Sequence, residues 1–168
     1  MGDWTGNWLF ILTAVVLGTC FVIWLYKSKK PYLPYEKHES ILTRSELVFY
    51  QVLKEAVAPY SFDIMCKIRM ADFVTVESGA EEWRAHFNKI QAKHVDFLLV
   101  DNDTMEPLIV VELDDASHKR PDRMERDKFV DSVMAHCGIG ILHIAVSKEY
   151  ESDVISEQIH QLMKKLKI

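Results

Sequence analysis

Four side chains in this 168-residue chain have the type and spacing to do chemistry together. Asp96 stands inside the apolar run HVDFLLVD, Glu112 and Asp114 close the run LIVVELD, and His118 follows four residues later. A carboxylate is costly to bury unless a cation compensates it. Acids set within apolar strands therefore call for one, and a divalent metal ion is the obvious choice. Acidic oxygens around such an ion point towards phosphodiester hydrolysis.

The two acid-bearing runs are joined by a short polar turn, Asn102-Asp103-Thr104, so they should pair as an antiparallel hairpin. A turn centred on Thr104 sets Asp96 directly across from Glu112, with Cα atoms about 5 Å apart on one face. A turn centred half a residue away would send the two acids to opposite faces. In the first geometry the carboxylates repel each other without a cation between them. Mg²⁺ takes one or two protein carboxylates beside water and substrate oxygens, and Asp96, Glu112 and the Leu113 carbonyl would offer such a half-shell. Mn²⁺ favours the same oxygen donors.

Periodicity supplies the elements that must hold these residues. Thr43-Arg44-Ser45-Glu46 matches a capping box and opens a helix with Leu47, Tyr50, Leu53 and Val57 on one face, closed by Pro59. Residues 61–74 read as a strand with Ile64, Cys66, Ile68 and Met70 facing one way, and residues 79–93 as a helix carrying Trp83, Phe87 and Ile90. The acid-bearing strands span about 95–101 and 107–114. A helix begins at Pro121-Asp122, carries Phe129, Val130, Val133, Met134 and Cys137, and stops at Gly138. Residues 139–146 read as a buried strand. A last helix bears Ile155, Ile159, Leu162 and Leu166, with Lys164, Lys165 and Lys167 near its end. The order αβαββαβα describes an α/β domain over residues 44–168, around a central mixed sheet of about four strands.

The N-terminal part is of another kind. Residues 8–26 form a run of 19 without a charge, 11 of them Leu, Ile, Val or Phe. As a helix the run is ~28 Å long, close to the ~30 Å hydrocarbon thickness of a bilayer, and its insertion is favourable by roughly 3–6 kcal/mol. Only Asp3 precedes it, whereas Lys27, Lys29 and Lys30 follow. The positive-inside rule then leaves residues 1–7 outside a cell or inner membrane and everything after the span in the cytoplasm. A cleaved signal peptide would want basic residues before the apolar core and small residues after it. Residues 27–43, with Pro31 and Pro34, read as a linker. Cys20, Cys66 and Cys137 have neither metal-site nor disulfide spacing, as suits a reducing compartment.

The order of the cytoplasmic pieces resembles the PD-(D/E)XK restriction-endonuclease-like superfamily. Within it the chain is most similar to an uncharacterised bacterial family, a domain of unknown function allied to very-short-patch-repair-like endonucleases. The pieces that carry the likeness are LTRSELVFYQVL, KIRMADFV, HVDFLLVD, VELDDASHK, ERDKFVD and GIGILHIAV, within residues 40–150. The resemblance implies a restriction-endonuclease-like fold, with Asp96 and Glu112 as metal ligands and Glu46 as an accessory acid. It sets Asp114 where the superfamily has its catalytic lysine. Asp114 is there available to ligate a second metal ion, and His118, with an unperturbed pKa of ~6.5, suits a general acid or base. Lys67, Lys119 and Lys128 are candidates for a displaced lysine. Arg126 and Asp127 read as an ion pair orienting their helix, and His143 as a hydrogen-bonded residue at the core's edge.

Two functions compete on this basis. One is a membrane-anchored nuclease or phosphodiesterase using Mg²⁺ or Mn²⁺. The other is a nuclease fold without catalysis, kept as a binding or scaffold module. Past Lys30 the chain carries 17 Lys and Arg against 24 Asp and Glu, a net charge of −7. That is a poor footprint for broad electrostatic binding of nucleic acid, which would have to be held by a local basic strip or through metal.

Overall fold

The computed structural model describes residues 4–28, 32–114 and 121–167, and the chain divides into two units, residues 1–38 and 39–168. In the first unit, α1 (Trp4–Ser28) is one continuous helix. Its Leu, Ile, Val and Phe side chains are exposed on every face. A helix apolar all round has no core-facing stripe and requires apolar surroundings. The stretch Asn7–Ser28 is long and apolar enough to cross a membrane. Thr13 and Thr19 bring no unmet donor into it, since their hydroxyls donate to carbonyls one turn back, at Leu9, Phe10 and Val16. The helix continues to Ser28, so the linker is shorter than residues 27–43, and residues 39–43 go with the second unit.

The second unit contains α2 (Arg44–Val57), β1 (Phe62–Arg69), a 3-10 turn (Met70–Asp72), α3 (Trp83–Gln91), β2 (His94–Asp101), β3 (Pro107–Asp114), α4 (Pro121–Cys137), β4 (Gly140–Ala145) and α5 (Ser152–Leu166). The sheet order is β1-β2-β3-β4, with the first three strands antiparallel and β4 parallel to β3. A parallel return needs a crossover, and α4 lies within it. The result is a mixed α/β unit on an open four-stranded sheet.

Each sheet face has its own core. Phe97, Leu99, Ile109, Val111 and Leu113 pack with Phe49 and Leu53 of α2 and Ile155 and Ile159 of α5. Leu98, Val100 and Val110 pack with Ile90 of α3 and Val130 and Met134 of α4. Phe49 adds tilted contacts to Phe97 and Tyr150, which fix α2 against the sheet.

Two elements differ from the sequence expectation. The strand expected over 61–74 ends at Arg69, and its side chains do not all face one way. Ile64 and Cys66 pack on the α2/α5 face, whereas Ile68 and Met70 pack on the α3/α4 face. The alternation breaks at Lys67, which adopts a left-handed conformation with φ 55°. The helix expected over 79–93 begins only at Trp83, because Gly79 (φ 86°) and Glu82 (φ 52°) take left-handed conformations that a right-handed helix does not include.

Candidate metal-binding acidic site

The β2–β3 hairpin decides whether the two central acids meet. Its turn is built by Asp101, whose Oδ1 accepts from the backbone N–H groups of Asp103 and Thr104 and from the Thr104 hydroxyl. Those bonds favour the charged carboxylate and hold its pKa below the usual range, the Thr104 amide contributing most. Met105 takes φ 61° to complete the turn. An irregularity between Leu99 and Val100 absorbs the loop, and beyond it Leu99 faces Ile109, Leu98 faces Val110 and Phe97 faces Val111. Extrapolated by one residue, this register places Asp96 opposite Glu112, as a turn centred on Thr104 requires; the paired rungs themselves end at Phe97 and Val111. The two carboxyl groups are close enough for the charge of Asp96 to act on Glu112.

The electrostatic consequence falls on Glu112. Burial, then the charge of Asp96 and its hydrogen bond, push the Glu112 carboxyl up to about 8, against an opposing pull from Arg126 on α4. Burial alone disfavours a charged carboxyl, and a second acid nearby disfavours it further. Glu112 therefore keeps its proton at neutral pH.

Asp96 is held from two further directions. Its Oδ2 accepts from the Leu113 backbone N–H at 3.0 Å, and its Oδ1 lies 2.7 Å from the Lys67 Nζ. Lys67 also donates to Glu46 Oε1 at 2.7 Å. Burial opposes the ammonium charge, but hydrogen bonds to Asp96 and then Glu46 outweigh it, so the Lys67 pKa is raised.

The backbone explains how a lysine from β1 reaches these acids. Cys66 pairs with Phe97 and Ile68 with Val95. The register is the same on both sides, so no residue is inserted at the Lys67–Asp96 rung between them. Yet Val95 and Phe97 pack on opposite faces, as Cys66 and Ile68 do. The alternation slips at one rung in both strands, turning Lys67 and Asp96 towards each other and towards the start of α2.

Glu46 serves two purposes, one with each oxygen. Its Oε2 accepts from the Thr43 N–H at 2.9 Å and its own N–H donates to Thr43 Oγ1, forming the expected capping box. Its Oε1 takes Lys67. The capping interaction thereby fixes the carboxylate that orients the lysine.

Asp114 is engaged elsewhere. Strand alternation sets it on the α3/α4 face with Glu112, where its Oδ2 lies 3.0 Å from His143 Nδ1 on β4. The other ring nitrogen, Nε2, is 3.1 Å from Asp131 Oδ1 on α4. Burial opposes a charged ring, but the bonds to Asp131 and then Asp114 outweigh it and raise the His143 pKa. His143 thus ties β3, β4 and α4 together.

Of the five candidate site residues, Glu46 and Asp96 converge on Lys67, and Glu112 feels the charge of Asp96. Asp114 stands beside them, bound to His143, and His118 lies outside the described residues, as does Lys119. Lys128 on α4 is exposed. Of the two candidate lysines that are described, Lys67 meets the acids and Lys128 does not. The sequence signal for it was a cation inside an apolar strand, and the same kind of signal marked His143. Asp131 carried none.

Among the described residues, no group of three or more His, Cys, Asp or Glu side chains is arranged to hold a metal ion. The donors available are the two carboxyl groups of Asp96 and Glu112, which is the number Mg²⁺ commonly takes from a protein. Burial and the charge of Asp96 both disfavour a charged Glu112, and a bound cation would offset both.

The family described as "Protein of unknown function (DUF2726)" matches residues 38–163. No curated protein and no solved structure matches the chain.

Proposed function

The chain belongs to the DUF2726 family, and from its acidic site we propose a membrane-anchored, metal-dependent phosphodiester-hydrolysing domain of the PD-(D/E)XK type. The observation that carries this reading is the Asp96–Glu112 rung. Burial and then the neighbouring charge of Asp96 push the Glu112 carboxyl up to about 8, so the pair forms a partly dry acidic place on the hairpin. Mg²⁺ or Mn²⁺ bound there would polarise a phosphoryl oxygen and acidify a bound water. Asp96 is pre-oriented for such a ligand by the Leu113 N–H and by Lys67, and Glu112 would give up its proton on joining it.

Lys67 supplies from β1 the positive charge that the superfamily's motif would carry at the position of Asp114. Held between two carboxylates, its ammonium stays protonated. It is therefore suited to stabilise negative charge on a phosphate rather than to accept a proton. Glu46 positions Lys67 and stands outside the pair of metal ligands. The lysines after α1 favour a cytoplasmic site under the positive-inside rule, where nucleic acid or a smaller phosphodiester is the substrate class.

A second reading has a specific observation behind it. Lys67 already lies against Asp96, so a cation is built into the site, as expected of a nuclease fold retained as a binding or scaffold module. Incubating the domain with single-stranded DNA, duplex DNA and RNA in Mn²⁺ or Mg²⁺ separates the two. Cleavage by the wild type that disappears in Glu112→Gln and in Lys67→Met supports the enzyme. Metal binding without cleavage of any substrate supports the module.

A further inference from the structure

The residues that follow α1 are unlike those of a water-soluble linker. Tyr32 is 88 % exposed, Leu33 67 % and Tyr35 81 %, in a stretch with neither helix nor strand. Linkers that stay in water are rich in Gly, Ser and charge, whereas these four positions hold two tyrosines, a leucine and Pro34. Proline disfavours helix, so no local fold folds these side chains away among themselves. Tyrosine joins an apolar ring to a hydroxyl tip, the combination enriched where a bilayer meets water.

The neighbourhood identifies what would cover them. α1 is apolar enough to cross a membrane and ends at Ser28, with Lys27 in its last turn. At ~3.3–3.6 Å per residue, at most ~14 Å of chain separates Ser28 from Tyr32. A positive charge at that end of the helix complements anionic headgroups, whose attraction extends about a Debye length. We propose that Tyr32, Leu33 and Tyr35 lie in the headgroup region of the bilayer that α1 crosses, as a second, interfacial membrane contact. A protein that reads extended Pro-containing peptides is the competing occupant. It is disfavoured because the segment is tethered within a few residues of a lipid surface. The proposal requires α1 to span the bilayer and is independent of the acidic site.

The test uses the full chain in nanodiscs of phosphatidylcholine with phosphatidylglycerol, with no other protein present. An environment-sensitive fluorescent amino acid is introduced singly at positions 32, 35, 103 and 16. Positions 32 and 35 should be quenched by lipids brominated near the headgroup end of the acyl chain at least twofold more than position 103, and shielded from aqueous iodide. Iodide quenching at 32 and 35 equal to that at 103, with no bromolipid quenching, would overturn the interfacial contact and leave the peptide-reading partner. Iodide quenching at position 16 as strong as at 103 would overturn it differently, by showing that α1 is not in the bilayer.

Discussion

Replacing Glu112 by Gln should stabilise residues 39–168 in mildly alkaline, metal-free solution and remove much of their pH dependence. In the folded domain the Glu112 carboxyl titrates near 8, because burial and then Asp96 disfavour its charge. In the unfolded chain a glutamate titrates near ~4.3. Between these values the folded state holds a proton that the unfolded state has released, so stability falls as pH rises and levels off above the folded pKa. At ~1.36 kcal/mol per unit the interval amounts to about 5 kcal/mol. Water penetration and relaxation at a site near the surface lower this to ~2–3 kcal/mol. Glutamine keeps the shape and the hydrogen-bonding capacity without the ionisation. The assay is urea unfolding at pH 5.5, 7 and 8.5 in EDTA, followed by Trp83, the single tryptophan past residue 38, which stacks on Phe87. His143 also contributes to the wild-type slope, so the quantity to read is the difference between wild type and mutant. That difference should move in favour of Gln as pH rises. A difference that stays constant with pH would refute the protonated Glu112 and the packing of the two acids that produces it.

Other substitutions probe the remaining parts of the site. Lys67→Ala should cost about 2 kcal/mol by leaving Glu46 and Asp96 without their cation. Lys67→Gly should cost about 1 kcal/mol less than Ala, because glycine adopts the left-handed φ of 55° without strain; equal losses in urea melts would contradict the strained rung. His143→Gln should lose ~1 kcal/mol at pH 6 and less at pH 9. The sign follows because a histidine with a raised pKa contributes below its unfolded value, and that contribution is lost as pH rises through the folded one. A loss that grows with pH would contradict the imidazolium bridge. Gly140→Ala should destabilise by ~1 kcal/mol through overpacking, since its Cβ would meet Leu162 Cδ2 at 2.9 Å and Ile109 Cγ1 at 3.1 Å; an unchanged urea midpoint would show that α5 yields freely.

The hairpin was legible because its information is local. A polar turn between two apolar runs fixes the register from Leu99 to Phe97, the rungs next to Asp96 and Glu112. The capping box at Thr43 was equally local, and the same four residues hid the second use of Glu46, whose other oxygen finds a partner 21 positions away. Lys67 was legible as an anomaly but not as a contact. Period-two reasoning assumes that side chains alternate, and the left-handed residue that breaks the alternation is a lysine, where a glycine would have announced it. For the same reason Ile64, Cys66, Ile68 and Met70 were expected on one face and occupy two. His143 was expected to be hydrogen bonded, but its partner on α4 is chosen by the packing of a crossover helix, which periodicity does not resolve. The shortened α3 has a similar origin, since the left-handed turn at Glu82 carries no glycine to mark it.

Titrating Mn²⁺ into residues 39–168 at pH 7, with bound ion read by electron paramagnetic resonance, tests the Asp96–Glu112 site most directly. The geometry predicts saturable binding that is lost in Asp96→Asn and in Glu112→Gln and weakens below neutral pH, where a proton competes for Glu112. Wild type that leaves millimolar Mn²⁺ free, or binding that survives both substitutions, would contradict it.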